Sequence, residues 1–175
     1  VLYFKSKVMD PIKRKELLLK QADLKQRESE VYKLKCFNDH VQILRDKNIE
    51  HFVHFVHELD SAKRFVPDPH LDKIESFPFM NHGCIDKAKL LDAVVVGRNK
   101  QENVFAAIKN FSASEDPTVI VLWKDYHPTL EIKLSSLVLV AEELIDFMWD
   151  TYVFEMFGDW VVEFHHDDYI TYGRI

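Results

Sequence analysis

The chain has 175 residues, of which 47% are apolar and 30% charged, and its formal net charge at pH 7 is −6. This composition is typical of one globular domain and excludes disordered and collagen-like chains. No apolar run approaches the roughly 18 residues that a membrane span needs, and no secretory leader is recognisable. Neither a membrane partner nor secretion is therefore expected.

Charge is distributed unevenly along the chain. Residues 1–36 hold ten basic against five acidic residues, whereas residues 134–172 hold nine acidic residues and no basic one. Such asymmetry influences the choice of partner and the rate of encounter more than the fold. Because acidic residues dilute the basic N-terminal segment and the pI is near 5.8, a nucleic-acid partner is not expected.

The chain begins with a segment that we set apart. VLYFKS resembles the protease site ENLYFQS of expression tags, so residues 1–8 are interpreted as an added or disordered leader. Asp10 followed by Pro11 predicts a helix start, because Asp caps the first turn and proline has no N–H to lose there. We expect a long helix to about residue 35.

This helix carries a narrow apolar stripe. Leu17, Leu24 and Val31 recur every seven residues, which leaves assembly into a homo-oligomer through this stripe as an open alternative. A second, short helix is expected to start at Asn38 or Asp39.

Residues 49–66 are predicted to form an amphipathic helix. His51, His54 and His57 fall on its polar side and fan across the surface, so all three cannot ligate one ion from a regular helix. They are interpreted as solvent-facing residues and not as metal ligands. The apolar side comprises Ile49, Phe52, Phe55, Val56, Leu59, Ala62 and Val66.

The second half of the chain is predicted to be α+β. Residues 67–84, rich in proline, are expected to form a loop between a helical part, 9–66, and an α+β part, 85–175, within one domain. Residues 101–111 fit a helix and a strand equally well. The remaining elements are a hairpin of strands 119–124 and 130–134 with a turn at 125–128, a helix 136–150, and a hairpin of strands 160–164 and 169–173.

The predicted fold class is therefore α+β, with a helical N-terminal part followed by a mainly antiparallel sheet in the order β-hairpin, helix, β-hairpin. The apolar faces of these elements predict a common core. Its members are Phe52, Phe55, Val56, Leu59, Val119, Val121, Trp123, Ile132, Leu144 and Trp160.

Common catalytic motifs are absent. The four glycines are far apart, which excludes phosphate-binding and dinucleotide-binding loops. The two cysteines, Cys36 and Cys84, lack the spacing of a zinc finger and indicate reduced thiols in a cytoplasmic protein. Cys84 is interpreted as structural, because no partner for a nucleophile is evident. No cofactor, metal site or catalytic residue is predicted.

The sequence HHDD at 165–168 is interpreted as a hairpin turn. Adjacent histidines in a strand point to opposite faces, and aspartates favour turns through bonds to their own backbone. A metal-dependent hydrolase or nuclease that uses these residues and the helical histidines remains an alternative from a different functional class.

The acidic C-terminal third is also aromatic, a combination that can bind a cationic partner, because carboxylates steer the encounter and aromatic side chains anchor it. We expect one surface made by the helix 136–150, the turn at Asp159 and the HHDD turn. The predicted contact residues are Glu142, Glu143, Asp146, Trp149, Asp150, Asp159, Trp160, Asp167, Asp168 and Tyr169.

These features together predict a binding protein and not an enzyme. The size, acidity, α+β class and lack of catalytic motifs resemble the immunity proteins of bacterial toxin systems. The resemblance implies an acidic inhibitor, or antidote, that occludes a basic protein such as a toxin nuclease. An oligomeric adaptor remains a further alternative.

Overall fold

The computed structural model describes residues 11–54, 69–80, 83–123, 126–145 and 150–175. Within these ranges the chain forms helices and one antiparallel sheet, which confirms the α+β class. The elements in chain order are α1 (Pro11–Asp46), β1 (His51–His54), α2 (Pro69–Glu75), β2 (Leu91–Gly97), α3 (Gln101–Lys109), β3 (Thr118–Trp123), β4 (Tyr126–Lys133), α4 (Leu134–Leu139), α5 (Ala141–Ile145), β5 (Thr151–Glu155), β6 (Trp160–Phe164) and β7 (Tyr169–Arg174).

The chain divides into two compact units, Val1–Cys36 and Phe37–Ile175. In the first unit, the described residues belong to α1. Leu17, Leu24 and Val31 are 46%, 58% and 69% exposed there. The second unit contains the sheet and every other described helix.

In the second unit, α1 continues to Asp46 without the predicted break at Asn38. The prediction of a separate short helix is wrong because Phe37, Val41 and Leu44 keep the spacing of one helical face, and all three are buried. Asn48 follows the end of α1 and lies in the left-handed region at φ 52°. Asn tolerates this conformation better than most residues.

The sheet has the strand order β1-β4-β3-β5-β6-β7-β2, and every neighbouring pair is antiparallel. Because side chains alternate along a strand, β3 directs Val119, Val121 and Trp123 into one core and Ile120 and Leu122 into another. The first core lies under residues 37–46 of α1 and under α3, α4 and α5, and we call this side of the sheet the helical face. The second core includes residues of α2 and of the segment 77–90, and we call this side the opposite face.

The predicted helix at 49–66 is wrong where the structure describes it. His51–His54 forms the edge strand β1, which pairs with β4. Phe52 is 59% exposed and does not belong to the core. Pairing with β4, and not the helical periodicity of the local sequence, determines the conformation of this segment. Tertiary context often overrides local preference in this way. Residues 55–68, which include Phe55, Val56, His57 and Leu59, lie outside the described residues.

The other predicted core residues, Val119, Val121, Trp123, Ile132, Leu144 and Trp160, are buried, as expected. Several predicted boundaries need correction. The expected loop at 67–84 contains α2, the expected turn at 125–128 overlaps β4, and the expected helix from 136 is divided into α4 and α5. Strand β5 was not predicted, so the second hairpin is part of a three-stranded meander.

Strand β2 forms the other edge of the sheet. Its pairing with β7 shifts register between Leu91 and Val94, and Asp92 within this bulge has φ 53°. Asp92 bonds Arg174 of β7 across the bulge. Residues of β2 on both sides of the bulge are largely exposed.

Candidate functional site

The predicted contact surface is divided by the topology of the sheet. The β5–β6 turn, residues 156–159, and the β6–β7 turn, residues 165–168, lie at opposite ends of β6. Five residues of strand separate them, or about 16 Å at about 3.3 Å per residue. Asp159 and Asp167 therefore lie at opposite ends of β6, and whether one partner contacts both ends stays a prediction.

Two of the ten predicted contact residues are interior. Trp160 is 0% exposed and its Nε1–H donates to Glu155 Oε2 at 3.2 Å. Asp150 is 1% exposed. Neither side chain can anchor a partner, and both assignments are corrected. Glu142, Glu143, Asp159, Asp167 and Asp168 are exposed, Tyr169 is partly buried, and Asp146 and Trp149 lie outside the described residues.

One exposed acid already has a basic neighbour. The Glu143 carboxylate lies 3.2 Å from Lys47 Nζ. Its own backbone N–H, and after it the Lys47 ammonium, hold the pKa of Glu143 below its ordinary value. Part of the charge on this helix is therefore compensated within the molecule.

The structure brings together a buried cluster that the sequence did not reveal. Cys84, Asp150 and His165 come from the segment before β2, the start of β5 and the β6–β7 turn. Cys84 Sγ lies 3.3 Å from His165 Nε2, and Asp150 Oδ1 lies 3.8 Å from the same nitrogen. His166 does not point away from His165 as expected, because their rings stack at 4.1 Å.

Hydrogen bonds in this cluster determine what chemistry it can perform. The Asp167 backbone N–H donates to His165 Nδ1 at 3.1 Å, so a neutral ring carries its proton on Nε2, which faces Cys84. Asp150 Oδ1 accepts from the backbone N–H of His166 at 3.2 Å and lies 2.8 Å from its Nδ1. The imidazole of His165 is therefore arranged as a donor to the thiol and not as the base that would activate it.

Buried acidic groups surround the aromatic residues of this end of the sheet. Burial, and after it the proximity of Cys84 and Glu163, raise the pKa of Tyr169 to about 12. Burial and Glu163 also raise the pKa of Tyr152, whose hydroxyl donates to the Gly83 carbonyl at 2.8 Å. The cluster thus stabilises the β6–β7 turn through a network of satisfied polar groups.

A second group of histidines lies on the opposite face, near the β1 edge. The pairing of β1 with β4 sets His54 opposite Thr129, and His54 Nε2 lies 2.9 Å from Glu131 Oε2. His70 of α2 is buried, and its Nδ1 lies 2.8 Å from Thr129 Oγ1. The rings of His54 and His70 are 4.4 Å apart at 90°.

Three groups of described residues could supply metal ligands, with atoms within 4.8 Å of one another. The first consists of His54, His70 and Glu131, the second of Cys84, Asp150 and His165, and the third of His165, His166 and Asp167.

The β5–β6 turn presents an apolar side chain next to carboxylates. Phe157 is 97% exposed. It lines a cavity of about 390 Å³ whose wall also includes Glu131, Glu155, Met156 and Lys133. Sequence reasoning missed Phe157, because the Gly-Asp pair after it indicates a turn but does not indicate whether the Phe157 ring is exposed.

No family model and no curated protein matches this chain. Among the residues that the structure describes, helices long and apolar enough to cross a bilayer are not found.

Proposed function

We propose that this chain is a non-enzymatic binding protein that captures a basic protein partner at the β5–β6 turn. The observation that carries the proposal is Phe157, which is 97% exposed beside a cavity with Glu131 and Glu155 in its wall. An aromatic side chain of this kind supplies anchoring area, and a cavity with carboxylates accepts a partner's Lys or Arg. The exposed Asp159 adds negative charge to the same turn.

The backbone of the turn is fixed before any partner arrives. The Lys73 ammonium donates to the Gly158 carbonyl at 2.7 Å, and the Gly158 N–H donates to Glu155 O at 3.1 Å. The Ile175 N–H donates to Asp159 O at 2.7 Å. Because these bonds already order the turn, little conformational entropy is lost when a partner contacts Phe157.

The negative charge of the chain supports a role as the inhibitor of a basic partner. The acidic residues of the last third produce a field that accelerates encounter with a cationic surface. We propose an antidote-like role in the cytoplasm, in which occlusion of a basic partner such as a toxin nuclease is the function. Cys36 and Cys84, which do not form a disulfide, fit that reducing compartment.

The test compares the two ends of β6 in two ways, by photo-cross-linking and by charge reversal. A photoreactive benzoyl-phenylalanine in place of Phe157 should cross-link one partner in the producing cell, whereas the same residue in place of Asp167 should not. With the partner identified and purified, Asp159→Lys should slow association at physiological ionic strength. Asp167→Lys should not, because charges are screened over about 8 Å at physiological ionic strength.

Several outcomes would contradict this proposal. Equal cross-linking from both positions, or a partner that associates at the same rate with the Asp159→Lys variant, would reject the β5–β6 turn as the contact surface. Phe157→Ala should abolish capture without loss of folding. An acidic partner would exclude the inhibitor role.

A second candidate function is assembly through α1, because Leu17, Leu24 and Val31 are exposed in the first unit. Replacement of these three residues by Gln should convert an oligomer to a monomer in sedimentation equilibrium. A monomeric wild-type protein at tens of micromolar would exclude this alternative.

A further inference from the structure

We propose that His54, His70 and Glu131 form a binding site for a divalent transition-metal ion, with zinc as the expected occupant. The site shares Glu131 with the cavity proposed for partner capture, but zinc binding to the isolated protein can be measured without a partner. Two imidazole nitrogens and one carboxylate oxygen are a ligand set that suits zinc and its first-row neighbours, whereas calcium and magnesium prefer oxygen alone.

The fold brings the three ligands together from three separate elements. Strand β1 contributes His54, β4 contributes Glu131, and α2 contributes His70. The ligand atoms lie within 4.8 Å of one another. In a tetrahedral zinc site they would lie about 3.3 Å apart, given Zn–N distances of about 2.0 Å. Rotation of the partly exposed His54 and Glu131 side chains can bring them to that spacing.

The hydrogen bond of His70 has the form that metal-binding histidines use. Its Nδ1 lies 2.8 Å from Thr129 Oγ1, and the hydroxyl oxygen can accept the Nδ1 proton. With the proton on Nδ1, Nε2 is the nitrogen left to bind a metal, and the bond to Thr129 fixes the orientation of the buried ring. Such outer-shell partners orient metal-binding imidazoles and increase their basicity.

The site also has access to solvent. His70 and Glu131 line the cavity of about 390 Å³ beside the β5–β6 turn. The side chain of His54 is 40% exposed. A metal ion can therefore enter, and water can complete its coordination, as in zinc sites that keep an open position.

The two other candidate groups are less suitable. His165 Nδ1 accepts a backbone N–H, so Nε2 carries the proton of the neutral ring and faces Cys84 as a donor. A metal at Nε2 would require that the proton move to Nδ1 and that the bond to Asp167 be broken. The third group is less suitable because His165, His166 and Asp167 all come from one turn and the carboxylate of Asp167 is exposed.

The experiment measures zinc binding directly, with protein that has been stripped by a chelator and freed of any affinity tag. Competition with a chromophoric chelator should give one high-affinity Zn²⁺ per chain. His54→Gln and Glu131→Gln should each weaken that affinity by about a hundredfold or more. His51→Gln is the matched control, because His51 lies on the same strand but bonds the Ile49 carbonyl, and it should leave affinity unchanged.

Cobalt substitution identifies the ligands. Co²⁺ in the proposed site should show visible absorption without the near-ultraviolet band that a thiolate ligand produces. A thiolate band, or zinc affinity that Cys84→Ser removes and His54→Gln retains, would overturn the proposal. Failure of the stripped, folded protein to bind Zn²⁺ at micromolar concentration would overturn it as well. Far-UV circular dichroism confirms that each variant is folded.

Discussion

The two turns that bound β6 both contain aspartate but are held in place in different ways. The β5–β6 turn is held mainly by bonds to its backbone, which leaves Phe157 and Asp159 exposed. The β6–β7 turn bonds its histidine side chains to the buried Asp150. A side chain that holds its own turn in place is less available to a partner. Acidity in the sequence therefore does not identify a binding surface until the internal hydrogen bonds are known.

The largest expected effect separates two aromatic residues of this region. Trp160→Ala should lower the free energy of unfolding by about 3–5 kcal/mol, because it removes a buried side chain and leaves a cavity. Phe157→Ala should change it by less than about 0.5 kcal/mol, since that ring contacts mainly solvent. Urea unfolding of the two variants measures both values. Similar losses in both would show that the β5–β6 turn is packed and not exposed.

The second prediction concerns the carboxylates. Asp150→Ala should cost about 2–3 kcal/mol, because the donors of His166 would lose their acceptor beside the buried cluster. Asp159→Ala, at the other end of β6, should cost less than about 0.5 kcal/mol. Equilibrium unfolding in urea at pH 7 compares them. A cost at Asp150 as small as that at Asp159 would mean that the network does not hold the β6–β7 turn.

The third prediction concerns alkaline stability. Tyr169 has a pKa of about 12 in the folded protein against an ordinary value of 10.0. Above pH 10 the unfolded chain releases the phenolic proton while the folded protein keeps it, so the free energy of unfolding should fall as pH rises from 10 to 12. Tyr169→Phe should make this fall less steep. Tyr32→Phe, at an exposed residue of α1, is the control and should leave the fall unaltered.

The smallest expected effect concerns the backbone of the β6–β7 turn. Asp168 lies in the left-handed region at φ 62°, where glycine has no steric penalty. Asp168→Gly should change stability by less than about 1 kcal/mol, with relief of strain offset by greater freedom of the unfolded chain. Asp168→Val should be less stable than Asp168→Gly in thermal unfolding. The reverse order would contradict a left-handed backbone conformation at Asp168.

Elements with strong local patterns were predictable from the sequence. The run VIVLW was predicted as a buried strand and fills both faces of the sheet. The segment WVVEF was also predicted as a strand, but its alternation suggested one buried face, whereas all five of its residues are buried, Glu163 included. The segment HFVH was misread because four residues contain too little periodicity to distinguish an edge strand from a helical turn. Its strand conformation depends on pairing with β4, which is distant in the sequence.

The candidate sites were less predictable than the fold. Cys84, Asp150 and His165 are separated by 66 and 15 positions, and only the sheet topology brings them together. His54 and Glu131 meet for the same reason. Charge counts identified an acidic third of the chain, but burial of Asp150 depends on the position of β5, which was not predicted. Single residues such as Phe157 become informative only when exposure is known.

The bulge at Asp92 has a consequence for how copies of this protein behave at high concentration. A flat edge strand with free N–H and C=O groups is a template for aggregation. Strand β2 exposes Leu91, Val94 and Val95, the kind of apolar residues that would favour such stacking. The register shift and the charge of Asp92 interrupt the regular edge between Leu91 and Val94. The edge can therefore remain apolar and exposed with a low tendency to recruit strands of other copies into fibrils.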